Sequence, residues 1–237
     1  MGLLLIQSTV YGQMKKNLSK KVKEPKKIQL PTYGFKTGIL FSNITGDEAI
    51  SRFSKKLGAQ VGMFGALYFT HKFSIVGELV YEGKGAKFDN HKMKITLHYA
   101  SLPIYFKYNF TKDPQIYTYA GVYGAYLLAA KTTGTYELSI EDNHIIEDID
   151  ENIRPNLTSY DAGTVLGIGV QGQFSFRLDI FADIRYTQGL ISLDKETAEH
   201  RYNFNYTRFW PEQKTDYPIN RSFTFSAGII IHLQPRF

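Results

Sequence analysis

Strand-like runs of alternating polar and apolar residues are joined by connections that are short and long by turns. That rhythm limits the fold more than any other property of the chain. The short connections are expected near 70–72, 111–114 and 172–175, and the long ones near 43–58, 85–93, 133–158 and 190–220. Every long connection then falls at one end of the sheet and every short one at the other. A soluble sandwich has no reason to sort its loops this way. A barrel that spans a membrane has short turns on the periplasmic side and long loops outside. Several runs reach about 11 residues, the length a tilted strand needs to cross a bilayer.

Eight runs carry the pattern, over 32–42, 59–69, 73–84, 94–110, 115–132, 159–173, 176–189 and 221–233. In the first, Tyr33, Phe35, Ile39 and Phe41 share one face, and Gly34, Lys36 and Gly38 the other. In the seventh, Leu178, Ile180, Ala182, Ile184 and Tyr186 oppose Arg177, Asp179, Phe181, Asp183 and Arg185. Pro103 stands inside the fourth run, and a strand proline lacks a ladder donor, so a bulge or irregular pairing is expected there. The fifth run has no clear parity and its faces stay unassigned.

These features predict an all-β fold: a closed antiparallel up-and-down transmembrane barrel of about eight strands. Eight strands leave an interior that side chains just fill. An isolated buried charge is costly, so charges inside must pair. The alternation places Lys36, Glu78, Glu82, Asp179, Asp183 and Arg185 in a lumen charge network that closes the interior, with Arg177 on the same face.

Composition adds little. The 17 Tyr and 17 Phe suit aromatic girdles at two membrane interfaces. No run reaches the roughly 18 apolar residues of a membrane helix. The absence of cysteine excludes a disulfide scaffold and thiolate metal sites. Seven lysines against one glutamate crowd residues 15–27, from totals of 28 basic and 22 acidic residues, so the remainder is neutral. A barrel without excess charge is no nucleic-acid binder. Residues 1–13 resemble the second half of a signal peptide. Residues 14–31 read as a basic periplasmic tail and 32–237 as the barrel.

The run from Tyr33 to Asp47, YGFKTGILFSNITGD, resembles the first strand and loop of the PorT-like outer-membrane barrels of Bacteroidota, themselves small barrels of OmpA/OmpX type. LPIYFKY at 102–108 resembles that family's strand with an I-P-L-x-x-K-Y pattern, and YAGVYGAY at 119–126 and DAGTVLGIG at 161–169 its central strands. RYTQGL at 185–190 resembles its penultimate strand. The resemblance implies an eight-stranded outer-membrane barrel with no catalytic set. Some members assist type IX secretion, a role that fold-level likeness does not transfer.

Function is therefore expected at the rim. Loop 190–220 carries Tyr202, Phe204, Tyr206, Arg208, Phe209 and Trp210, aromatics with arginine that stack on sugars or on a protein partner. The alternative is an aromatic girdle folded over the mouth. The acidic stretch 141–151, with His144, lacks the offsets of a calcium loop and reads as a solvated acidic loop. No metal and no cofactor is expected. The leading reading is a non-enzymatic anchor, adhesin or accessory subunit of an envelope secretion or assembly complex. Its partners are outer-membrane lipid, lipopolysaccharide and envelope proteins. A rim enzyme using His200 and Glu199 and a soluble lipid-binding barrel are the alternatives.

Overall fold

The computed structural model describes residues 30–45, 53–88, 93–140, 143–193 and 218–233. Its strands are β1 (Thr32–Thr45), β2 (Phe53–Tyr68), β3 (Phe73–Phe88), β4 (Lys94–Asn109), β5 (Gln115–Ile140), β6 (Asn143–Asn152), β7 (Tyr160–Ser175), β8 (Leu178–Gly189) and β9 (Ile219–His232). Neighbours pair antiparallel in the order β4-β3-β2-β1-β9-β8-β7-β5, and β4 also pairs with β5. That last pairing closes an eight-stranded barrel. β6 stands outside the wall, paired with β5 alone among the described residues.

The strands run longer than their alternation suggests. β1, β2 and β3 continue past 42, before 59 and past 84, so much of the expected loop at 43–58 and 85–93 is wall. The segment 133–158 is corrected most. β5 runs on to Ile140 and returns as β6, a hairpin where a solvated acidic loop was expected. The turn expected at 172–175 is also displaced. β7 continues to Ser175 through a register shift between Gln173 and Ser175, and the chain reverses at Phe176 and Arg177. Arg177 is exposed in that turn and is not a lumen residue.

Local chemistry explains the other turns. Thr70 Oγ1 accepts from the backbone N–H of Lys72 (3.2 Å) and Phe73 (3.0 Å), replacing ladder bonds with side-chain ones where β2 turns into β3. Thr111 Oγ1 does the same for the N–H of Ile116 (2.8 Å). Pro103 causes no bulge. The β3–β4 register is unchanged on either side of it, from Gly77↔Ile104 to Val80↔Ser101, but the two positions between go unpaired.

The unassigned parity of the fifth run has a structural cause. The β4–β5 register shifts between His98 and Tyr99, which leaves Leu128 as an extra residue on β5. Tyr117, Tyr119, Tyr123, Ala125 and Leu127 point inward, and beyond the bulge Ala130 and Thr132 take over. A bulge inserts one residue and so inverts an alternation of period two.

Outside, the wall is apolar. Phe35, Ile39, Val61, Met63, Leu79, Ile104, Phe106, Leu166, Ile168, Ile180, Ile184 and Phe225 are all exposed, and inner positions between them include Lys36, Gly62, Tyr105, Gly167 and Asp183, with Phe181 a bulky exception. A water-soluble barrel has the reverse arrangement. On β1 the outer apolar residues run from Tyr33 to Phe41. That stretch is about 27 Å of strand, or about 20 Å along a membrane normal at about 40° tilt, close to the apolar band of an outer-membrane barrel.

Candidate functional site

The inner wall is built from alternate positions of eight strands, and its glycines decide what fits. A Cβ on Gly167 would lie 2.2 Å from Tyr119 Cζ, and one on Gly169 2.5 Å from Tyr117 Cζ. These two positions on β7 are thus the floor on which the β5 tyrosine rings lie. Small residues facing large ones is how a narrow barrel fills its interior.

On that floor sits a charged layer. Arg185 donates through Nη1 and Nη2 to Glu78 Oε2 (2.8 Å) and Oε1 (2.7 Å), a bidentate pair across the lumen. Lys36 Nζ reaches the same carboxylate at 3.1 Å, and Tyr105 Oη donates to it at 2.6 Å. Arg185 Nε donates to Tyr119 Oη (3.0 Å), and its guanidinium lies against the Tyr105 and Tyr119 rings. Glu78, Lys36 and Arg185 are at most 3% exposed. Asp183, two positions from Arg185 on β8, is buried as well.

The other inner charges lie in separate layers. Toward the long loops, Glu82 accepts from Lys84 (2.8 Å) and Ser101 (3.0 Å), while the Lys84 ammonium sits over the rings of Tyr99 and Tyr123. Asp161 accepts from Tyr123 (3.1 Å) and Asn220 (3.0 Å). Toward the short turns, Asp179 Oδ2 accepts from Gln171 Nε2 (2.7 Å) and meets His232 Nε2 at 2.9 Å. Gln171 in turn accepts from Lys107, which lies over the Tyr117 ring.

Of the residues singled out for the lumen, Lys36, Glu78 and Arg185 meet in one layer, and Asp183 is buried two positions from Arg185 on β8. Glu82 lies above that layer and Asp179 below. The sequence reading missed their partners Lys84, Tyr105, Tyr119, Gln171 and His232, and the further inner groups Lys107 and Asp161. Tyr105, Lys107, Asp161 and Gln171 all lay on faces whose polarity was legible. Tyr119 lay on the strand whose parity the bulge concealed.

At the long-loop end the polarity inverts. Ile44, Ile95, Leu97, Leu127 and Ala130 face inward and pack with Leu157 and Leu193 from the connections, and Ile153 lies against them. The Thr158 N–H donates to the Leu193 carbonyl (2.9 Å), and the Leu193 N–H to that of Pro218 (2.8 Å), which ties both connections over the mouth. Outside the same level stand Lys55, Lys87, Lys94, Lys131 and Arg221, all exposed. A dry interior under a polar exterior is the arrangement of a protein in water, so the wall leaves the lipid below this level.

The aromatic surface Tyr202, Phe204, Tyr206, Arg208, Phe209 and Trp210, together with Glu199 and His200, lies outside the described residues, as do residues 1–13 and the tail up to residue 29. The rim feature that is described is the β5–β6 hairpin. β4 covers β5 only to Thr133, so Gly134–Ile140 continue beyond the wall with β6 as their partner. Lys131 and Asp150 pair across the hairpin at 2.7 Å, both largely exposed, and Thr135 bonds Asp148. No group of three or more His, Asp or Glu able to hold a metal occurs among the described residues.

A family model described as outer membrane protein beta-barrel domain matches residues 28–195. No curated protein sequence matches the chain. Among solved structures, the chain is similar to the attachment invasion locus protein Ail of Yersinia pestis, at 12% identity and TM-score 0.40, over 84% of this chain and 98% of that one. It is similar to Neisserial surface protein A at 12% identity and TM-score 0.44, over 85% and 97%. It is also similar to OprG of Pseudomonas aeruginosa at 11% identity and TM-score 0.43, over 86% and 97%.

Proposed function

The chain belongs to the outer membrane protein beta-barrel domain family, and on that premise we propose that it is a non-enzymatic anchor, an adhesion-type or accessory subunit that presents rim elements to an envelope complex. The barrel is an integral outer-membrane protein, with its short turns periplasmic and its long connections outside. Its motifs support a place among the PorT-like barrels of Bacteroidota, and no secretion role is carried over with them.

The observation that carries the reading is the β5–β6 hairpin. Seven residues of β5 past Thr133 extend about 23 Å of strand beyond the wall. An isolated two-stranded hairpin is marginal in water. A barrel that needed only to span the membrane would end β5 where β4 ends. Long elements on a rigid scaffold are where recognition concentrates.

The test replaces residues 135–148 by an Asn-Gly turn. Because the wall ends at Thr133, the variant is expected to keep the heat-modifiable gel mobility of a folded barrel. A photo-crosslinker at Asp148 in the full chain, expressed in native outer membranes, is expected to yield a discrete protein adduct that a crosslinker at Lys72 in the periplasmic turn does not. If Asp148 gives no adduct while the barrel is folded and exposed at the surface, the anchoring reading fails.

A further inference from the structure

We propose that Arg154 and Thr158 are positioning residues that join the root of the β5–β6 hairpin to the two ends of the β8–β9 connection, so that these rim elements meet a partner as one unit. The inference rests on the anchoring reading and adds to it the coupling between the elements.

The outer part of β5 changes partner along one edge. Its ladder with β7 ends at Tyr126↔Tyr160, and its ladder with β6 begins at Lys131↔Asn152. The break between them holds the bulge residue Leu128. Two backbone bonds span it, from the Leu127 N–H to the Ser159 carbonyl (2.8 Å) and from the Ile153 N–H to the Ala130 carbonyl (3.1 Å). After β6 the chain makes a short 3₁₀ turn, Arg154–Asn156, with Pro155 among its first residues, and is extended again at Leu157 (φ −107°, ψ 152°).

This segment is pinned from both sides of the wall. On the outside, Arg154 donates through Nε to the Leu127 carbonyl (3.2 Å) and through Nη2 to Tyr126 Oη (3.1 Å), with its guanidinium 5.8 Å from the centre of the Tyr126 ring. Tyr126 packs edge-on against Tyr160, with 5.3 Å between ring centres. One side chain thus fastens the root of the hairpin to the last residues that β5 shares with β7. A guanidinium that bonds and stacks at once has a planar geometry that lysine does not reproduce. On the inside, Leu157 is buried in the apolar cluster of the mouth, beside Leu193.

Thr158 carries the link onward. Its N–H bonds the Leu193 carbonyl, and the Leu193 N–H bonds that of Pro218, so both ends of the β8–β9 connection meet at the hairpin root. A displacement of that root therefore also moves Leu193 and Pro218. Holding two rim elements in one arrangement before a partner arrives reduces the ordering that binding costs. Coupling of this kind is reciprocal, so a partner seated on one element also fixes the other.

Hydrogen exchange of the Leu193 amide is followed by NMR on the full chain in detergent. Thr158→Pro removes the N–H, and Leu157 already has the extended backbone that a following proline favours. The bond that protects the Leu193 amide runs to Pro218 and is not touched by the substitution. One hydrogen bond is worth about a fivefold change. Leu193 is therefore expected to exchange about fivefold faster in Thr158→Pro, and faster in Arg154→Lys as well. The Asn109 amide, bonded to Lys72 at the opposite end, keeps its rate. In native outer membranes, photo-crosslinkers at Asp148 and at Ser192 are expected to capture the same partner, and Thr158→Pro lowers the Ser192 adduct relative to the Asp148 adduct. A barrel that was only destabilised would lose both adducts alike. An unchanged Leu193 rate in both variants, or different partners at the two positions, overturns the coupling and leaves the anchoring reading in place. No adduct at Asp148 ends the anchoring reading, and the exchange rates then decide the coupling alone.

Discussion

Glu78 receives Arg185, Lys36 and Tyr105 at once, and the three contacts are not equivalent. Removing a carboxylate from a buried pair leaves its cation uncompensated, which costs about 3–5 kcal/mol. Glu78→Gln does this to two cations together. Lys36→Met leaves the bidentate Arg185–Glu78 pair intact and puts an apolar chain of similar length in its place. We expect Glu78→Gln to lower barrel stability by about 3–5 kcal/mol and Lys36→Met by about 1 kcal/mol, read from urea unfolding in detergent. Equal losses would mean that Lys36, and not the guanidinium, holds the carboxylate. At this scale the sequence was partly legible. Lys36, Glu78 and Arg185 each sat on a polar face between apolar neighbours, so their inward direction could be read. Which cation meets which carboxylate could not, because that depends on the register between strands far apart in the chain. Glu82 is the exception: its partner Lys84 lies two residues along the same face of its own strand and needs no register to find.

Elements were legible where period two persists and obscure where it breaks. β1 keeps its alternation from Thr32 to Thr45, and both of its faces follow from it. β5 loses it at Leu128, and the inversion there hid two of the tyrosines that floor the charged layer. Strand ends were underestimated because the wall outlasts the lipid. Above the girdle the inner positions turn apolar and the outer ones polar, so a pattern tuned to membrane polarity fails just where β2, β3 and β5 continue. The same boundary gives a prediction on one strand. Ile39 faces lipid within the belt of β1, and Thr45 faces outward beyond it. A lipid-facing arginine costs about 2–4 kcal/mol at the bilayer midplane and about 0–1 kcal/mol near the interface. Ile39→Arg is therefore expected to destabilise the barrel by about 2–4 kcal/mol in lipid vesicles and Thr45→Arg by less than about 1 kcal/mol. The difference should shrink in detergent, where the belt adapts. Equal costs in vesicles would place the membrane boundary above Thr45.

Across the whole molecule the interior is stacked in layers of opposite character. Near the periplasmic turns Asp179 is held by Gln171 and His232. Above it Glu78 joins Arg185 and Lys36, next comes the Glu82–Lys84 pair, and at the outer end the apolar cluster holds Leu157 and Leu193. A solute crossing this barrel would have to break ion pairs inside a narrow wall and then open a dry cluster whose connections are tied together by backbone bonds. Neither obstacle depends on the other. We therefore expect liposomes that carry the purified protein to swell in arabinose no faster than protein-free ones. The expectation extends to variants, because the layers act in series. Leu157→Ser with Leu193→Ser wets the outer mouth but leaves the Glu78 layer closed beneath it, so swelling should stay at background. Swelling that rises in the double serine variant alone would show that the apolar cluster is the gate and that the charged layers already pass solute. Swelling in the wild type would end the anchor reading, since a barrel that conducts has a function within its lumen.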